Sequence, residues 1–452
     1  MKYKVFTKQR VLCMILMIFI ILLIRSDLRE PEIKRSFHKN HEFLQSMALP
    51  ESDLALLKMA HLNPNAAILG HNLRQFKHYW KLHQGHFQQD LKHHYQQQKL
   101  NEILINNINH FDRYMFDWLK VSTIDLYQTF ENHIGVVLHV DNRNIGNAIS
   151  TIGVIREIHS SNIPIEVYYK GRISLSIQDE LRFKFIKNVV LIDVTKLMNI
   201  DITEIDGLDI KPFAMLFSKF QHVLAIDIDI VFLQSPESLF QSSIYEKYHA
   251  LFYVGRSIGS VPKSSQQWIS SLLEKPIIDN VKNLRIMNGL TMYEQDAAVV
   301  LINKKENFIG LLSTCLLNLG FKDTIENHSL NIHESFWIGF DIVRNSYTFN
   351  KYLTGAAGSI QSVQGVDVIC SSSVLHVDEN RNPIWYNISL HTAEDSQSQI
   401  QNFTHWQIEP SVWTGNGDEF CISVRNHVSS IKKADMNVME MARELFISED
   451  RG

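Results

Sequence analysis

The sequence has little cysteine, glycine and proline, and it has no excess of basic residues. Its 452 residues include 4 Cys, 19 Gly and 10 Pro, with 44 Lys+Arg against 48 Asp+Glu. So few cysteines exclude a disulfide-dense scaffold and a cysteine-rich zinc module. Without a basic excess, a nucleic-acid binder held by phosphate contacts is disfavoured. What remains, 45% hydrophobic and 20% charged residues, is the composition of a globular protein with a sizeable core.

Two common nucleotide-binding motifs are also missing. The chain has no GxxxxGK[ST] loop anywhere and no GxGxxG after its first predicted strand. These absences exclude P-loop chemistry and the usual mode of dinucleotide binding.

An unbroken apolar run (VLCMILMIFIILLI) occupies residues 11–24. Basic residues without any acid precede it, whereas the charges that follow nearly cancel. The positive-inside rule therefore predicts a cytosolic tail at 1–10, a transmembrane signal anchor at 11–24 and a lumenal remainder. The run is short for a membrane span, ~21 Å at about 1.5 Å per residue, so a cleaved signal peptide and a buried helix are the alternatives. No A-x-A-like cleavage site follows the run, which favours the anchor.

A lumenal location agrees with three N-glycosylation sequons, at Asn327, Asn387 and Asn402. Chance matches are common in a chain of this length, so each sequon is weak evidence alone. In an oxidising lumen we expect one disulfide and one free thiol among the three cysteines beyond the anchor. The sequence leaves their pairing open; they are Cys315, Cys370 and Cys421.

Residues 25–129 are predicted to form a lumenal stem that is partly helical. Residues 25–70 are polar and mixed, and residues 75–120 are rich in Gln and His with a mostly helical pattern. Exposed helix histidines explain this composition better than a metal site does, because no acidic or cysteine partner is present. The histidines concerned are His78, His83, His86, His93 and His94.

From residue 130 onwards, buried-strand patterns alternate with helical patterns. The predicted strands include 134–140, 164–169, 188–194 and 222–232. This alternation predicts an α/β domain over 130–452 with a largely parallel central sheet. Such sheets bind ligands beyond the carboxyl ends of their strands.

The most informative segment is a D-x-D motif in the last of these predicted strands. The apolar residues 223–226 lead directly into Asp227-Ile228-Asp229, and in an extended chain the two acids share a face. Bare carboxylates beside an apolar strand repel each other and cost desolvation energy, which a divalent cation relieves. The alternative is a strand end at which both acids are solvated or one caps the next turn.

Four sequence blocks, in this order, carry a resemblance to a known family. They are KPFAMLFSKFQHVLAIDIDIVFLQSPESLF (211–240), GLTMYEQDAAVVLINKKENF (289–308), HESFWIGFDIVRNSYTFN (333–350) and VLHVDENRNPIWYN (374–387). Behind an anchor and a stem, the blocks resemble the fungal Golgi α-1,3-mannosyltransferase family (the MNN1/MNT family), with similarity over roughly 130–425. The resemblance implies a GT-A-like fold, GDP-mannose as donor, Mn²⁺ as cofactor and mannose-terminated glycans of glycoproteins as acceptors.

The resemblance also implies a set of metal ligands. Asp229 would bind the metal directly, and Asp227 would bind the metal through water or the donor's ribose. His376, in the VLHVD block, is the candidate third ligand, and a surface histidine beside a turn is the alternative.

Asp296 and Glu334 are the candidate catalytic carboxylates. Asp296 and the neighbouring Gln295 precede the apolar run AVVLIN, where they could bind mannose hydroxyls, although Asp296 could instead cap a turn. Glu334 lies among apolar residues, where a carboxylate is costly without a task. Trp337 could stack on a sugar ring or lie in the core, and Asp341 is a further sugar-binding candidate.

Five residues are candidates for the donor side. His139, Asp141 and Arg143 follow or end the first predicted strand, where a base and ribose would bind. Lys211 and Ser218 flank the helix before the D-x-D motif and are candidate phosphate contacts. For Lys211, a plain helix N-terminus is the alternative.

Together these features predict a single-pass type II membrane protein of the Golgi that is a metal-dependent, retaining α-1,3-mannosyltransferase acting on N- or O-linked glycans in the lumen. An α-1,2-mannosyltransferase of the same broad family is one alternative. A non-catalytic glycan-binding or scaffold subunit of a mannosyltransferase complex is another, and the intact acid pair argues against it. Retention through a carboxylate nucleophile and retention through front-face exchange both stay open.

Overall fold

The structure is a computed structural model that describes residues 44–62, 65–86, 94–200, 209–320, 322–371, 373–388, 403–408, 413–416, 419–424 and 428–450. The predicted tail and anchor, His93 and the sequon at Asn402 lie outside the described residues. Among the described helices, none combines the length and the hydropathy that a membrane crossing requires.

The chain divides into two compact units, one of residues 1–55 and 78–110 and the other of residues 56–77 and 111–452. This division differs from the boundary at residue 129 that the sequence predicts between stem and catalytic domain. Within the larger unit, the fully buried ring of Phe76 lies 5.4 Å from Phe111 and 4.9 Å from Phe116. Apolar residues of the predicted stem therefore belong to the core of the larger unit.

The described part of the N-terminal region is mostly helical, and the helical pattern predicted for residues 75–120 agrees with it. Its helices are α1 (Glu51–Leu62), α2 (Ala66–His86), α3 (His94–Met115) and α4 (Thr123–Gln128). In the smaller unit, the Asn107 side chain accepts from Leu49 N (3.0 Å) and donates to Met47 O (2.8 Å). His78 is exposed, whereas His83 is buried beside Trp80.

A seven-stranded sheet forms the centre of the larger unit. Its strands are β1 (Glu131–His139), β2 (Ile165–Tyr169), β3 (Val189–Asp193), β4 (Phe220–Ile226), β6 (Ala250–Val254), β7 (Gln295–Asn303) and β8 (Thr348–Phe349). The order is β3-β2-β1-β4-β7-β6-β8, and only the pairings made by β7 are antiparallel. The predicted, largely parallel sheet is therefore confirmed.

The predicted strand at 222–232 is wrong in one respect, because it is two strands. The chain leaves β4 at Ile226, turns through the acid pair and continues as β5 (Ile230–Phe232) in a different sheet. Two carboxylates are poorly accommodated inside an apolar sheet, so the turn keeps both of them partly exposed.

Two antiparallel sheets, of six and four strands, follow in the C-terminal part. Their further strands are β9 (Gly355–Gly358), β10 (Ile360–Val363), β11 (Val366–Ser371), β12 (Val374–Val377), β13 (Pro383–Asn387), β14 (His405–Ile408), β15 (Thr414–Asn416), β16 (Glu419–Ser423) and β17 (Ser429–Ser430). The orders are β17-β14-β9-β12-β13-β5 and β10-β11-β16-β15. Cys370 and Cys421 face each other on β11 and β16 and form a disulfide, and Cys315 is a buried free thiol. The expected single disulfide is thus confirmed.

Helices cover the central sheet, and a further helix follows the last strand. They are α5 (Ile145–Gly153), α6 (Ile177–Lys184), α7 (Lys211–Phe217), α8 (Glu237–Phe240), α9 (Ser243–Tyr248), α10 (Lys263–Leu272), α11 (Asp279–Lys282), α12 (Lys304–Gly320), α13 (Lys322–Asn327), α14 (Ser335–Ile342) and α15 (Lys433–Asp450). At Gly339 in α14, a Cβ atom would lie 2.7 Å from Thr314 N of α12, so only glycine permits this close helix contact.

Two of the predicted glycosylation sites lie in the described residues. Asn327 is exposed at the end of α13. Asn387 is partly buried in β13, and its Oδ1 accepts a hydrogen bond from Val374 N at 2.6 Å. Glycosylation at the three sequons stays a prediction.

Candidate functional site

The acid pair lies where the chain passes from the seven-stranded sheet to the six-stranded sheet. Asp227 N donates to Ala298 O (2.9 Å), which extends the pairing of β4 with β7 by one residue. The Thr151 hydroxyl on α5 donates to Ile228 O (2.6 Å), and Ile388 N donates to Asp229 O (2.8 Å). Backbone contacts to three separate elements therefore hold the turn that presents the two carboxylates.

Lys211, at the start of α7, supplies a cation to this turn. Its side chain is 8% exposed, and Nζ lies 2.5 Å from Asp227 Oδ1 and donates to Ala297 O at 2.6 Å. Burial opposes the charge on Lys211, but the carboxylates of Asp227 and Asp209 outweigh burial and raise its pKa. Lys211 is therefore an ammonium ion at neutral pH, and the structure brings it together with the D-x-D motif as predicted.

The charge of the second acid, Asp229, is less well compensated, because Lys211 pairs with Asp227. Burial, together with repulsion from Asp227 and Asp296, raises the pKa of Asp229 to about 7, and Lys211 only partly opposes this effect. A carboxylate in this condition gains from any further positive charge that enters the site.

A cavity of about 280 Å³ opens beside the acid pair, at the carboxyl ends of β1 and β4. Its polar lining comes from His139, Asn144, Lys211, Asp227 and Asp229. Apolar residues of β1, α7 and β4, together with Ile228 of the turn, form the rest of the wall. The position agrees with the rule that open α/β sheets bind ligands beyond the carboxyl ends of their strands.

His139 is the first-strand candidate that lines this cavity, and burial lowers its pKa. Asp141 and Arg143 lie in the loop after β1 and pair with each other, with Arg143 donating to Asp141 from both its backbone N (2.9 Å) and its guanidinium (3.0 Å). Burial acts to raise the pKa of Asp141, but Arg143 outweighs it and the pKa is lowered. The Arg143 side chain is 85% exposed.

Asp296, at the start of β7, pairs with His376 of β12. His376 Nε2 lies 3.2 Å from Asp296 Oδ2, and Ala298 N donates to Asp296 Oδ1 at 3.0 Å. Burial acts to raise the pKa of Asp296, but the contacts to His376 and Ala298 outweigh it and lower the pKa. Asp296 also acts electrostatically on Asp229 and Lys211, so it belongs to the same charged cluster.

Glu334, the other candidate catalytic carboxylate, is fully buried. Its Oε1 accepts from Glu294 N (3.0 Å) and Gln295 N (3.2 Å), and its Oε2 accepts from the Trp337 indole. Burial raises the pKa of Glu334 to about 8. Glu334 has no exposed surface, so the structure gives it a role in holding the start of β7 rather than a place on a substrate.

The side chains of Gln295 and Trp337 belong to this buried group. Gln295 Oε1 accepts from Trp337 N at 3.3 Å, and the Trp337 ring has no exposed surface. A ring without accessible surface cannot stack on a sugar, so the structure supports the core alternative for Trp337.

Two further predicted residues are not brought to the acid pair. Ser218 is buried before β4, where its Oγ accepts from Phe220 N at 3.1 Å, and β4 separates it from Asp227 by about 20 Å of extended chain. Asp341 is buried at the end of α14 and accepts from the Tyr347 hydroxyl at 2.5 Å. We therefore correct both assignments, since the contacts of these side chains are structural.

Asp209 is a residue of the cluster that the sequence patterns do not predict. Its Oδ1 accepts from Lys211 N at 3.1 Å, and its charge acts on both Lys211 and His139. An acid two residues before the predicted phosphate-binding lysine was the signal that could have identified it.

Asp227 and Asp229 are the residues that could hold a divalent cation. Within the described ranges, no three or more His, Cys, Asp or Glu side chains are grouped as a metal site would require. His376 is fully buried and its Nε2 is occupied by Asp296, so the expected third ligand does not join the acid pair. Two incompletely compensated carboxylates nevertheless fit a hard cation that takes its other ligands from substrate phosphates and water.

A family model described as "Mannosyltransferase putative" matches residues 133–378, which is more than half of the chain. The chain therefore belongs to this mannosyltransferase family. The match spans β1 to the end of β12 and so includes the acid pair, Asp296 and His376.

Curated relatives of the chain are fungal proteins. "Putative alpha-1,3-mannosyltransferase MNN15" of Candida albicans is 22% identical over 324 residues, covering 58% of this chain and 42% of the relative. "Alpha-1,3-mannosyltransferase MNT3" of Saccharomyces cerevisiae is 23% identical over 307 residues, covering 60% and 48%. The chain thus spans less than half the length of these relatives.

Among solved structures, the galactosyltransferase LgtC matches 48% of this chain and 72% of its own, with 14% identity and a TM-score of 0.32. Mouse xyloside xylosyltransferase 1 matches 48% and 84%, with 11% identity and a TM-score of 0.31.

Proposed function

We propose that this protein transfers mannose from GDP-mannose to a terminal mannose of N- or O-linked glycans, forming an α-1,3 linkage with retention of configuration. The observation that carries the proposal is the cavity at the carboxyl ends of β1 and β4, whose wall holds Asp227, Asp229 and Lys211. Family membership supports the sugar, and the names of the relatives support the linkage.

The diphosphate of the donor would bind at the charged wall of the cavity. Lys211 neutralises part of the negative charge of Asp227, so an incoming diphosphate meets less repulsion there. A divalent cation, manganese in this proposal, would be held by Asp227 and Asp229 and would supply charge that stabilises the departing diphosphate. His139 and the loop that follows β1 would contact the nucleoside.

The sugar end of the donor would lie towards Asp296. Of the two predicted catalytic carboxylates, Asp296 keeps 17% of its side chain exposed, whereas Glu334 is fully buried. A carboxylate that reaches the anomeric centre needs an accessible oxygen, so Asp296 is the candidate for direct contact with the reacting sugar.

We also propose that a GT-A-like catalytic domain acts in the Golgi lumen behind a signal anchor at 11–24. The charge asymmetry around that run supports the orientation. The disulfide between Cys370 and Cys421 agrees with an oxidising compartment. Protease added to intact vesicles should leave the C-terminus uncut, and cleavage there would refute this orientation.

The activity is tested with the full chain in detergent, GDP-mannose, α-mannobiose and Mn²⁺, with NMR of the product. We expect one new α-1,3-linked mannose, and no product when Mn²⁺ is chelated. An α-1,2 linkage would assign the protein to the alternative transferase reading. Binding of mannobiose without any transfer would indicate the glycan-binding or scaffold subunit.

A further inference from the structure

We propose that His376 is a positioning residue for Asp296, and that it holds the Asp296 carboxylate towards the sugar instead of binding the metal. This inference rests on the proposed function, because it assigns a task within the same site. It replaces the ligand role that the resemblance implies for His376.

The two oxygens of Asp296 are held from two different sheets. Oδ1 accepts from Ala298 N of its own strand at 3.0 Å, and Oδ2 lies 3.2 Å from His376 Nε2 of the six-stranded sheet. An ionised carboxylate only accepts hydrogen bonds, so Nε2 must carry the proton and donate. The carboxylate is therefore fixed at both oxygens, while 17% of the Asp296 side chain stays exposed.

The imidazole is itself fixed by aromatic rings. The Trp385 ring lies 4.2 Å from the His376 ring at 31°, and the Tyr253 ring lies 4.9 Å away at 69°. Tyr253 is opposite Asp296 in the pairing of β6 with β7, and Trp385 is opposite His376 in the pairing of β12 with β13. The residues opposite Asp296 and His376 on the neighbouring strands therefore both pack against the imidazole and restrict its position.

The contact with Asp296 argues against a ligand role for Nε2. His376 has no exposed surface, and its Nε2 faces Asp296. Its Nδ1 is buried as well and finds no hydrogen-bond partner in the described part of the chain. A metal ligand needs a lone pair that reaches the cation, and the nitrogen nearest the charged cluster already holds a proton against Asp296.

The test compares three variants of the full chain. His376→Gln keeps an N–H donor near the position of Nε2, His376→Asn is equally polar but too short to reach, and His376→Phe keeps the ring without a donor. We expect kcat to fall ~100-fold in the Phe and Asn variants with the KM for GDP-mannose within about twofold, because a small misplacement of a reacting group is that costly. His376→Gln should recover most of kcat.

Mn²⁺ affinity, measured by electron paramagnetic resonance, separates the positioning role from the ligand role. The positioning role predicts the same affinity in all three variants and in the wild type. Equal kcat in the Gln and Asn variants, or a tenfold weaker Mn²⁺ affinity in all three, would overturn the proposal. If His376→Phe does not fold, the Gln and Asn pair still decides the question.

Crystal structures of the Gln and Asn variants give a readout that does not depend on activity. The Asp296 carboxylate should keep its position in His376→Gln and leave it in His376→Asn. If the wild type transfers no mannose, the proposed function fails on that result. An unmoved carboxylate in both variants would separately defeat the positioning role.

Discussion

Sequence patterns predict functional carboxylates in two regions, the turn after β4 and the segment around Glu334, and the two regions differ sharply in the structure. At the turn, Asp229 is incompletely compensated and lines a cavity. Glu334 has no exposed surface, and backbone and indole N–H groups occupy both of its oxygens. A carboxylate among apolar residues is therefore a candidate for substrate contact only where part of its surface stays accessible.

The largest expected loss of activity is at the turn after β4, which carries Asp227 and Asp229. Asp229→Asn keeps the size of the side chain and removes its charge, so activity should fall ~1,000-fold, the upper range for losing one electrostatic contact to a developing charge. Initial rates at saturating GDP-mannose measure the loss, and the melting temperature should not decrease because Asn removes a repulsion. Full activity of this variant in chelator would remove the acid pair from the reaction.

Lys211→Met tests whether stability and activity depend on the ammonium group that pairs with Asp227 in this turn. Removing one partner of a largely buried ion pair should cost about 3 kcal/mol of unfolding free energy, the low end of the usual range, because Asp227 is partly exposed. Activity should fall ~100-fold, since the diphosphate then meets two unneutralised carboxylates. Urea unfolding and steady-state rates measure the two effects, with Lys211→Arg as the charge-keeping control. Unchanged stability of Lys211→Met would show that the pair is not formed in solution.

Glu334→Gln should change the stability of the protein and leave kcat nearly unchanged. The folded-state pKa of about 8 lies above the ordinary 4.5, so the contribution of Glu334 to stability is fully present below pH 4.5 and is lost as the pH rises towards 8. The melting temperature of the wild type should therefore fall relative to Glu334→Gln over this interval.

Melting curves from pH 5 to pH 9 check this difference. The variant itself should lose about 1–3 kcal/mol at pH 5, because the amide N–H₂ cannot accept from the Trp337 indole. A kcat reduced more than tenfold, with stability unchanged, would return Glu334 to the catalytic residues.

The smallest effect is expected at the exposed pair in the loop after β1. Arg143→Ala removes an 85% exposed side chain, so the change in unfolding free energy should stay below about 0.5 kcal/mol. The KM of Arg143→Ala for GDP-mannose, compared with that of the wild type, decides whether this loop contacts the donor. A tenfold rise would confirm Arg143 as a substrate-binding residue, and an unchanged KM would leave it a surface residue.

Strand positions and the acid pair were predictable because they depend on local pattern. Apolar runs bounded by polar residues predict β1, β2 and β3 to within one to three residues at each end. The strand that contains the D-x-D motif was predicted too long, because no periodicity reveals that β5 pairs with β13 in another sheet. The boundary between the two units was likewise not predictable from the sequence. Phe76 belongs to the larger unit because its ring packs against Phe116, which is distant in sequence.

By itself, the sequence determined the α/β alternation, the position of two acids at a strand end and the blocks that mark the family. These features are set by neighbouring residues, through burial periodicity and side-chain chemistry. Only the tertiary structure decided which polar partners meet: Lys211 with Asp227, and His376 with Asp296 across 80 residues and two sheets. A buried polar group takes the partner that the packed chain brings within hydrogen-bond distance, and that partner has no signature in the local sequence.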